Sequence, residues 1–287
     1  MLDRKIKDTI KKALIEDIGK SDKTTVLAVP AENKAEAVIL AKESGVLCGV
    51  ELAKSAFKQI DHKLVFRAFK KDGAVFKKNT KIISINGNAR SILIAERVAL
   101  NFLSLLSGIS TITREFQKRT KGTPARIFDT RKTTPNLREL EKYAVRVGGG
   151  SNHRKKLSDA ILIKDNHLRA GKYFYKKHVD RQKLEELIFK LKKERHLTIE
   201  IEVENLREFK EVLVYKPDII MLDNFPVKNM KRAVKIRNRS FPKISLEASG
   251  GVNLSNVKKI AATGVDMISV GMITHSPCAI DFSLKII

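Results

Sequence analysis

The chain changes its hydrophobic rhythm part-way along. The opening MLDRKIKDTIKKALIEDIG sets apolar side chains at helical spacing among mixed acids and bases, which predicts an amphipathic helix. AEAVILAKESGVLCGVELAKSAFKQI then reads as a short strand meeting Gly45, followed by a helix from near Val50. KLVFRAFKKDGAVFKKNTKIISINGNA alternates apolar and polar positions around Asp72-Gly73, which predicts a hairpin or two short strands. SILIAERVALNFLSLLSGISTITREFQKR keeps a helical period throughout and predicts one long helix linking two halves.

From about residue 124 short apolar runs end abruptly in polar residues: ARIFDTRK, DAILIKDN, LTIEIEVEN, DIIMLDN, ISLEASGG and MISVGM. Helical stretches such as NLREFKEVLVYK and NLSNVKKIAATG separate most of them. Apolar strands alternating with helices predict a parallel sheet covered on both faces. An open doubly wound sheet and a (β/α) barrel both satisfy this pattern. The barrel is preferred, because polar residues gather where each strand ends and a barrel brings those ends to one rim. No G-x-G-x-x-G follows a strand, so a dinucleotide site lacks support. The expected division is a small α+β domain over residues 1–107 and an α/β barrel over 108–287, whose last residues could return to the first domain.

Composition changes this picture little. The two cysteines, Cys48 and Cys278, form neither a CxxC nor a metal-ligand spacing, and the expectation is a reduced, cytoplasmic protein. No uninterrupted apolar run reaches the ~18 residues that cross a bilayer, and the N-terminus lacks the apolar centre of a signal peptide. Charge is less ordinary: 57 Lys and Arg against 32 Asp and Glu give +25. The bases are spread along the chain with no basic tail and no aromatic interleaving, so most read as a solvated surface, with no nucleic-acid or membrane partner expected. An RNA-binding protein on an old enzyme fold is the alternative from another class; it would need a contiguous basic face.

The strand ends carry the chemistry. In order they offer Asp129, Thr130, Arg131 and Lys132; Lys164, Asp165 and Asn166; Glu200 and Glu202; Asp223 and Asn224; Glu247 and Ser249-Gly250-Gly251; and Val270-Gly271-Met272. On one rim this makes a cationic sector, Arg131, Lys132, Arg154 and Lys164, beside an acidic one, Glu202 and Asp223. Cations suit carboxylate and phosphate, Arg by its fork and Lys as a point charge. Two acids suit Mg²⁺, which prefers oxygen ligands. Ser249-Gly250-Gly251, placed after a strand and before a helix, suits phosphate held by backbone N–H groups, and Gly271 repeats the signal at the next strand end. Glu200 and Glu202 fall on one strand face by their period of two. There is no nucleophile elbow, catalytic triad order or zinc spacing, so the site fits chemistry done by positioning and electrostatics.

DTRKTTPNLRELEKYAVRVGGGSNHR, followed by ILIKDNH, IEIEVEN, IIMLDN, LEASGGV and ISVG, resembles the quinolinate phosphoribosyltransferases. EDIG, AKESGVLCGVE and AERVALNFLSLLSGIST extend the likeness over nearly the whole chain. The resemblance implies an N-terminal α+β open-faced sandwich and an incomplete TIM-like barrel of seven-stranded type. It implies a homodimer, or a hexamer built from dimers, in which one N-terminal domain caps the neighbour's barrel. It implies transfer of phosphoribosyl from phosphoribosyl pyrophosphate to quinolinate with decarboxylation, giving nicotinate mononucleotide with Mg²⁺ as cofactor. Carried over by motif, Thr130, Arg131, Lys132, His153, Arg154 and Lys164 would surround quinolinate, with Arg97 of a neighbouring subunit. Glu202 and Asp223 would serve the ribose and the metal-bound pyrophosphate, with Lys132 and Lys164 beside them as catalytic residues. Ser249, Gly250, Gly251, Val270, Gly271 and Met272 would hold the 5-phosphate, and the triplet Gly148-Gly149-Gly150 would let backbone approach the ligands. Asn136 stands where the family pattern has Gly; Asn tolerates positive φ, so the turn is expected to survive. Nicotinate phosphoribosyltransferase and a paralogue associated with molybdate transport are the related alternatives, and Lys164 within KDNH favours quinolinate.

Overall fold

A computed structural model describes residues 3–175, 178–194 and 196–287, which fall into two compact units. The first comprises residues 1–114, 143–149 and 276–287. It begins with α1 (Arg4–Ile18) and α2 (Lys23–Ala28), capped by the side chains of Asp3 and Asp22, which accept N–H groups of the first turn. β1 (Lys34–Ala41), β2 (Gly45–Val46), α3 (Val50–Ile60), β3 (Val65–Ala68), β4 (Val75–Phe76), β5 (Lys81–Asn88) and α4 (Ala89–Thr120) follow. β3 and β4 are two short strands in different sheets: β3 pairs with β5 and β4 with β2, all antiparallel. Asp72-Gly73 therefore closes no hairpin between them. Asp72 instead accepts the backbone N–H groups of Gly49 and Val50 at 3.1 Å and caps α3.

α4 is the predicted long helix. It is long and apolar enough to cross a membrane by composition, but 61% of its most apolar window is buried within the protein. Glu96 and Arg97 interrupt that window, and Ile92, Ala95, Ala99, Leu103, Leu106 and Ile109 are fully buried along it. It is a core helix.

The second unit, residues 115–142 and 150–275, is the α/β part. Its elements are β6 (Arg126–Phe128), α5 (Arg138–Val147), which runs on into the first unit, β7 (Ile161–Ile163), α6 (Asp165–Ala170), the paired β8 (Phe174–Tyr175) and β9 (His178–Val179), α7 (Arg181–Lys192), β10 (Ile199–Val203), α8 (Leu206–Leu213), β11 (Ile219–Asp223), α9 (Val227–Ser240), β12 (Ser245–Ser249), α10 (Val257–Ala261), β13 (Met267–Ser269) and α11 (Met272–His275). Six strands form one parallel sheet in the order β6-β13-β12-β11-β10-β7. Within this sheet β7, β10, β11, β12 and β13 are neighbours in succession, and β13 returns to pair with β6, so the sheet curls into a ring. The ring stays open between β6 and β7. Ser151 forms an isolated parallel bridge with Phe128 and takes the place of a seventh strand beside β6. This is the incomplete barrel the resemblance implies. A last strand, β14 (Phe282–Ile286), pairs with β1 in the first unit, where the sheet order is β14-β1-β5-β3.

Alternation explains what lines the barrel. In β10, Ile201 and Val203 are fully buried on one face while Glu200 and Glu202 occupy the other. In β11, Ile220 and Leu222 are fully buried while Met221 and Asp223 face the cavity. In β12, Leu246 and Ala248 are fully buried while Glu247 and Ser249 face it. Registers of Glu202 with Met221 and of Met221 with Glu247 set these side chains in a layer, with Asp223 and Ser249 one step nearer the rim.

Candidate active site

A cavity of about 660 Å³ opens at the strand ends of the α/β unit. Its wall takes Thr130, Arg131 and Lys132 after β6, His153 and Arg154 beside the seam, and Lys164 after β7. Glu202 and Asp223 contribute the acids, and Ser249, Gly250, Gly251, Gly271 and Met272 the far side. Two expected residues are elsewhere. Val270 is fully buried with its N–H bonded to the Phe128 carbonyl at 2.9 Å, and does not line the cavity. Arg97 is exposed on α4 in the first unit.

The cationic wall is short of partners. Arg131 Nε and Arg154 Nε are buried without a hydrogen-bond acceptor. Arg154 spends one nitrogen on the Ala160 carbonyl at 2.8 Å, and its pKa is lowered by burial and then by neighbouring Arg131. Two guanidinium groups held together with orphaned donors form a site that an anion completes. Lys132 is placed through its backbone: its carbonyl accepts the Thr274 hydroxyl of α11 at 2.7 Å. Lys164 Nζ lies 2.6 Å from Glu202 Oε2, joining the cationic sector to the acidic one.

His153 and Arg154 ride on a buried frame that the sequence did not disclose. Lys142 of α5 and Asp129 after β6 are both fully buried and form an ion pair. Lys142 Nζ also donates to the His153 carbonyl at 3.0 Å, and Asp129 Oδ1 accepts the His153 N–H at 2.8 Å. Asn152 donates to the other Asp129 oxygen, so both charges are bonded. Burial lowers the Lys142 pKa while Asp129 raises it. Nothing in the surrounding LEKYAV marks this lysine out in a chain with 57 basic residues. The imidazole of His153 is held as well: Nε2 is 3.0 Å from Glu200 Oε2 and 3.5 Å from Glu247 Oε2. Burial works against a charged ring, yet these bonds outweigh it and raise the His153 pKa to about 10. Burial, followed by the nearby Glu247 charge, raises that of Glu200.

Two loop expectations need correction. The glycine triplet does not line the cavity. A Cβ on Gly148 would lie 2.5 Å from the Ser110 carbonyl oxygen, and Gly149 has φ +94°, so these glycines pack the end of α5 against α4. Ser249-Gly250-Gly251 does not lead directly into a helix, since α10 starts at Val257 and residues 250–256 form a loop. In that loop Gly250 has φ +90°, and a Cβ there would meet Asn224 Oδ1 at 2.2 Å. Glycine is thus required, and the backbone presents itself to the cavity. Asn136 does take positive φ, +65°. Asn224 and Glu247, named among the strand ends, also line the wall, and beyond the expected residues so do Leu162, Met221, Val252, Ser269 and His275. Glu247 was legible: it precedes Ser249 by two and so shares its face.

An α/β barrel whose rim combines unpaired guanidinium donors, acids and glycine loops defines an enzyme that binds highly charged anions. The chain belongs to the quinolinate phosphoribosyl transferase family: the family's C-terminal domain matches residues 109–285 and its N-terminal domain residues 22–107. It is 41% identical to a probable carboxylating nicotinate-nucleotide pyrophosphorylase of Synechocystis, over 96% of this chain and 90% of that protein. It is 38% identical to the carboxylating nicotinate-nucleotide pyrophosphorylase of Mycobacterium leprae, covering 98% and 96%. The solved nicotinate-nucleotide pyrophosphorylase of Francisella tularensis superposes with a TM-score of 0.88 at 36% identity, covering 100% of this chain and 98% of that one.

Proposed function

We propose that this chain transfers phosphoribosyl from phosphoribosyl pyrophosphate to quinolinate and releases the ring's 2-carboxylate as CO₂, giving nicotinate mononucleotide for NAD synthesis. The observation that carries this reading is the pair of buried, unpartnered nitrogens, Arg131 Nε and Arg154 Nε, on a wall shared with Lys132, His153 and Lys164. That many cations suit a dicarboxylate better than a monocarboxylate. Family membership and the carboxylating relatives support the same substrate over nicotinate.

In this reading Arg131, Lys132, His153, Arg154 and Lys164 orient quinolinate with its ring nitrogen toward the sugar. The ring nitrogen bonds to ribose C1 as the bond to pyrophosphate oxygen breaks. Glu202 and Asp223 stabilise the positive charge that develops on the sugar. The C–CO₂ bond then breaks, its electron pair is held beside the quaternised nitrogen, and protonation of that carbon completes the product. The backbone of Gly250, Gly251 and Gly271 would accept the 5-phosphate, and Ser249, Val270 and Met272 shape those loops. The oxygen donors of Glu202 and Asp223 fit Mg²⁺, which would neutralise pyrophosphate charge. Asp223 keeps one oxygen bonded to Asn224 at 2.8 Å, and Glu202 is engaged by Lys164.

The enzyme would act as a homodimer or larger assembly in the cytoplasm, with Arg97 of one subunit reaching the neighbour's quinolinate. Exposure of Arg97, and its place outside the cavity wall, support that reading. The test is to mix the purified protein with quinolinate, phosphoribosyl pyrophosphate and Mg²⁺ and follow nicotinate mononucleotide by chromatography. Comparable turnover of nicotinate in place of quinolinate would reject the decarboxylating assignment.

A further inference from the structure

Around the His153 ring on the cavity wall lie two carboxylates, Glu200 and Glu247, to which the transfer reaction above gives no role. Glu200 is 2% exposed and Glu247 fully buried, and among the described residues neither carboxylate has a lysine or arginine ion-pair partner. Buried carboxylates without such partners are costly and demand an explanation. Their shared contact is the His153 ring, at 3.0 and 3.5 Å. Glu200 Oε1 and both Glu247 oxygens lack any hydrogen bond of normal geometry. The other ring nitrogen, Nδ1, accepts the Arg154 N–H at 2.9 Å. His153 is therefore held through Nε2, and in the neutral ring through Nδ1 as well, while Asp129 and Lys142 fix its backbone.

The three side chains lie close enough to hold a metal ion, with candidate ligand atoms within 4.8 Å of one another. The ring argues against one. Because Nδ1 accepts a hydrogen bond, the neutral tautomer carries its hydrogen on Nε2, which leaves no lone pair there for a metal. Nε2 carries a hydrogen in the neutral tautomer and in the protonated ring alike, so the bond to Glu200 persists in both, whereas the Arg154 N–H bond to Nδ1 belongs to the neutral ring alone. The clamp thus works in either state.

Glu200 does not line the cavity, so a ligand there would meet His153 and not Glu200. We propose that Glu200, seconded by Glu247, is a positioning residue of the dicarboxylate site: it fixes the His153 imidazole through Nε2 and so sets how the His153–Arg154 pair meets quinolinate. This rests on the quinolinate reading above.

The experiment compares Glu200→Leu, which removes the acceptor at similar volume, with Glu200→Gln, which keeps one. Each is made alone and in a His153→Ala background, with KM measured for both substrates. Glu200→Leu should raise the quinolinate KM about tenfold and leave the phosphoribosyl pyrophosphate KM within about twofold, and Glu200→Gln should restore most of the loss. Added to His153→Ala, Glu200→Leu should change nothing further, because a residue acting through another shows full coupling. Additive losses, or equal rises in both KM values, overturn the proposal. A second readout does not need turnover. Long-range ¹H–¹⁵N spectra, with His153 assigned by its loss in His153→Gln, should show a slowly exchanging Nε2 hydrogen that Glu200→Leu abolishes. Its absence from the unaltered protein overturns the clamp whatever the substrate, as does a stoichiometric metal ion lost with Glu200. If the unaltered protein ignores quinolinate yet shows the protected hydrogen, the substrate reading fails and the clamp stands.

Discussion

Lys164 Nζ and Glu202 Oε2 lie 2.6 Å apart across the neighbouring strands β7 and β10, the lysine side chain half exposed and the glutamate buried. The pair ties the wall assigned to quinolinate to the acids assigned to ribose and metal. A lysine that turns toward a substrate carboxylate would release Glu202, so the two sectors are linked by one side chain.

Removing that side chain should therefore affect both. A charge-assisted hydrogen bond to a carboxylate contributes about 1.5–3 kcal/mol, so Lys164→Ala should lower kcat/KM for quinolinate by roughly tenfold to a hundredfold. Steady-state kinetics with each substrate varied in turn checks this. An unchanged kcat/KM would remove Lys164 from the site.

Metal removal makes the second test. With Glu202 and Asp223 as oxygen donors on the cavity wall, activity should vanish in excess chelator and return with Mg²⁺ or Mn²⁺. Full turnover in chelator would leave the two acids with the sugar alone.

The Asp129–Lys142 pair should matter for stability as much as for geometry. Lys142→Met leaves the fully buried Asp129 without its counter-charge. Breaking a buried ion pair costs about 3–5 kcal/mol, which should lower the thermal midpoint by on the order of 10 °C. Differential scanning fluorimetry reads it directly; a shift under about 2 °C would show the pair to be dispensable.

Arg97 is best tested by mixing subunits. Arg97→Ala and Lys164→Ala, each with activity lowered roughly tenfold or more, are combined under conditions that exchange subunits. If Arg97 serves its neighbour's site, a mixed dimer has one site with both lesions and one with neither, so part of the activity returns. Demonstrated exchange with no recovered activity would place Arg97 outside the neighbouring site.

The short apolar runs of LTIEIEVEN, DIIMLDN and ISLEASGG, separated by helical stretches, were enough to read parallel strands with polar ends, and the period of two put Glu200 and Glu202 on one face. A period of two is a local property, and a strand with one face packed under helices cannot slip without burying the wrong set. Asn136, at φ +65°, was legible for the same local reason. The long α4 was legible too, because its helical period persists from end to end.

Other features depended on which distant segments meet. Asp72 stood in an apparent hairpin turn, yet it caps α3 from 22 and 23 residues away. The glycine triplet stood among cations and looked like part of the pocket, but its tight approach is to Ser110 of α4. Lys142 carried no signal, because a lysine's burial is decided by the partner that reaches it, here Asp129. The succession of strands along the chain and the cationic and acidic residues at their ends were readable before folding, since these follow from nearest-neighbour periodicity. It took the folded ring to bring β13 back to β6, to pair Ser151 with Phe128, and to gather Glu200, Glu247, Asp129 and Lys142 around His153. Those contacts join residues far apart in the chain, and their energy exists only once the ring of strands has formed.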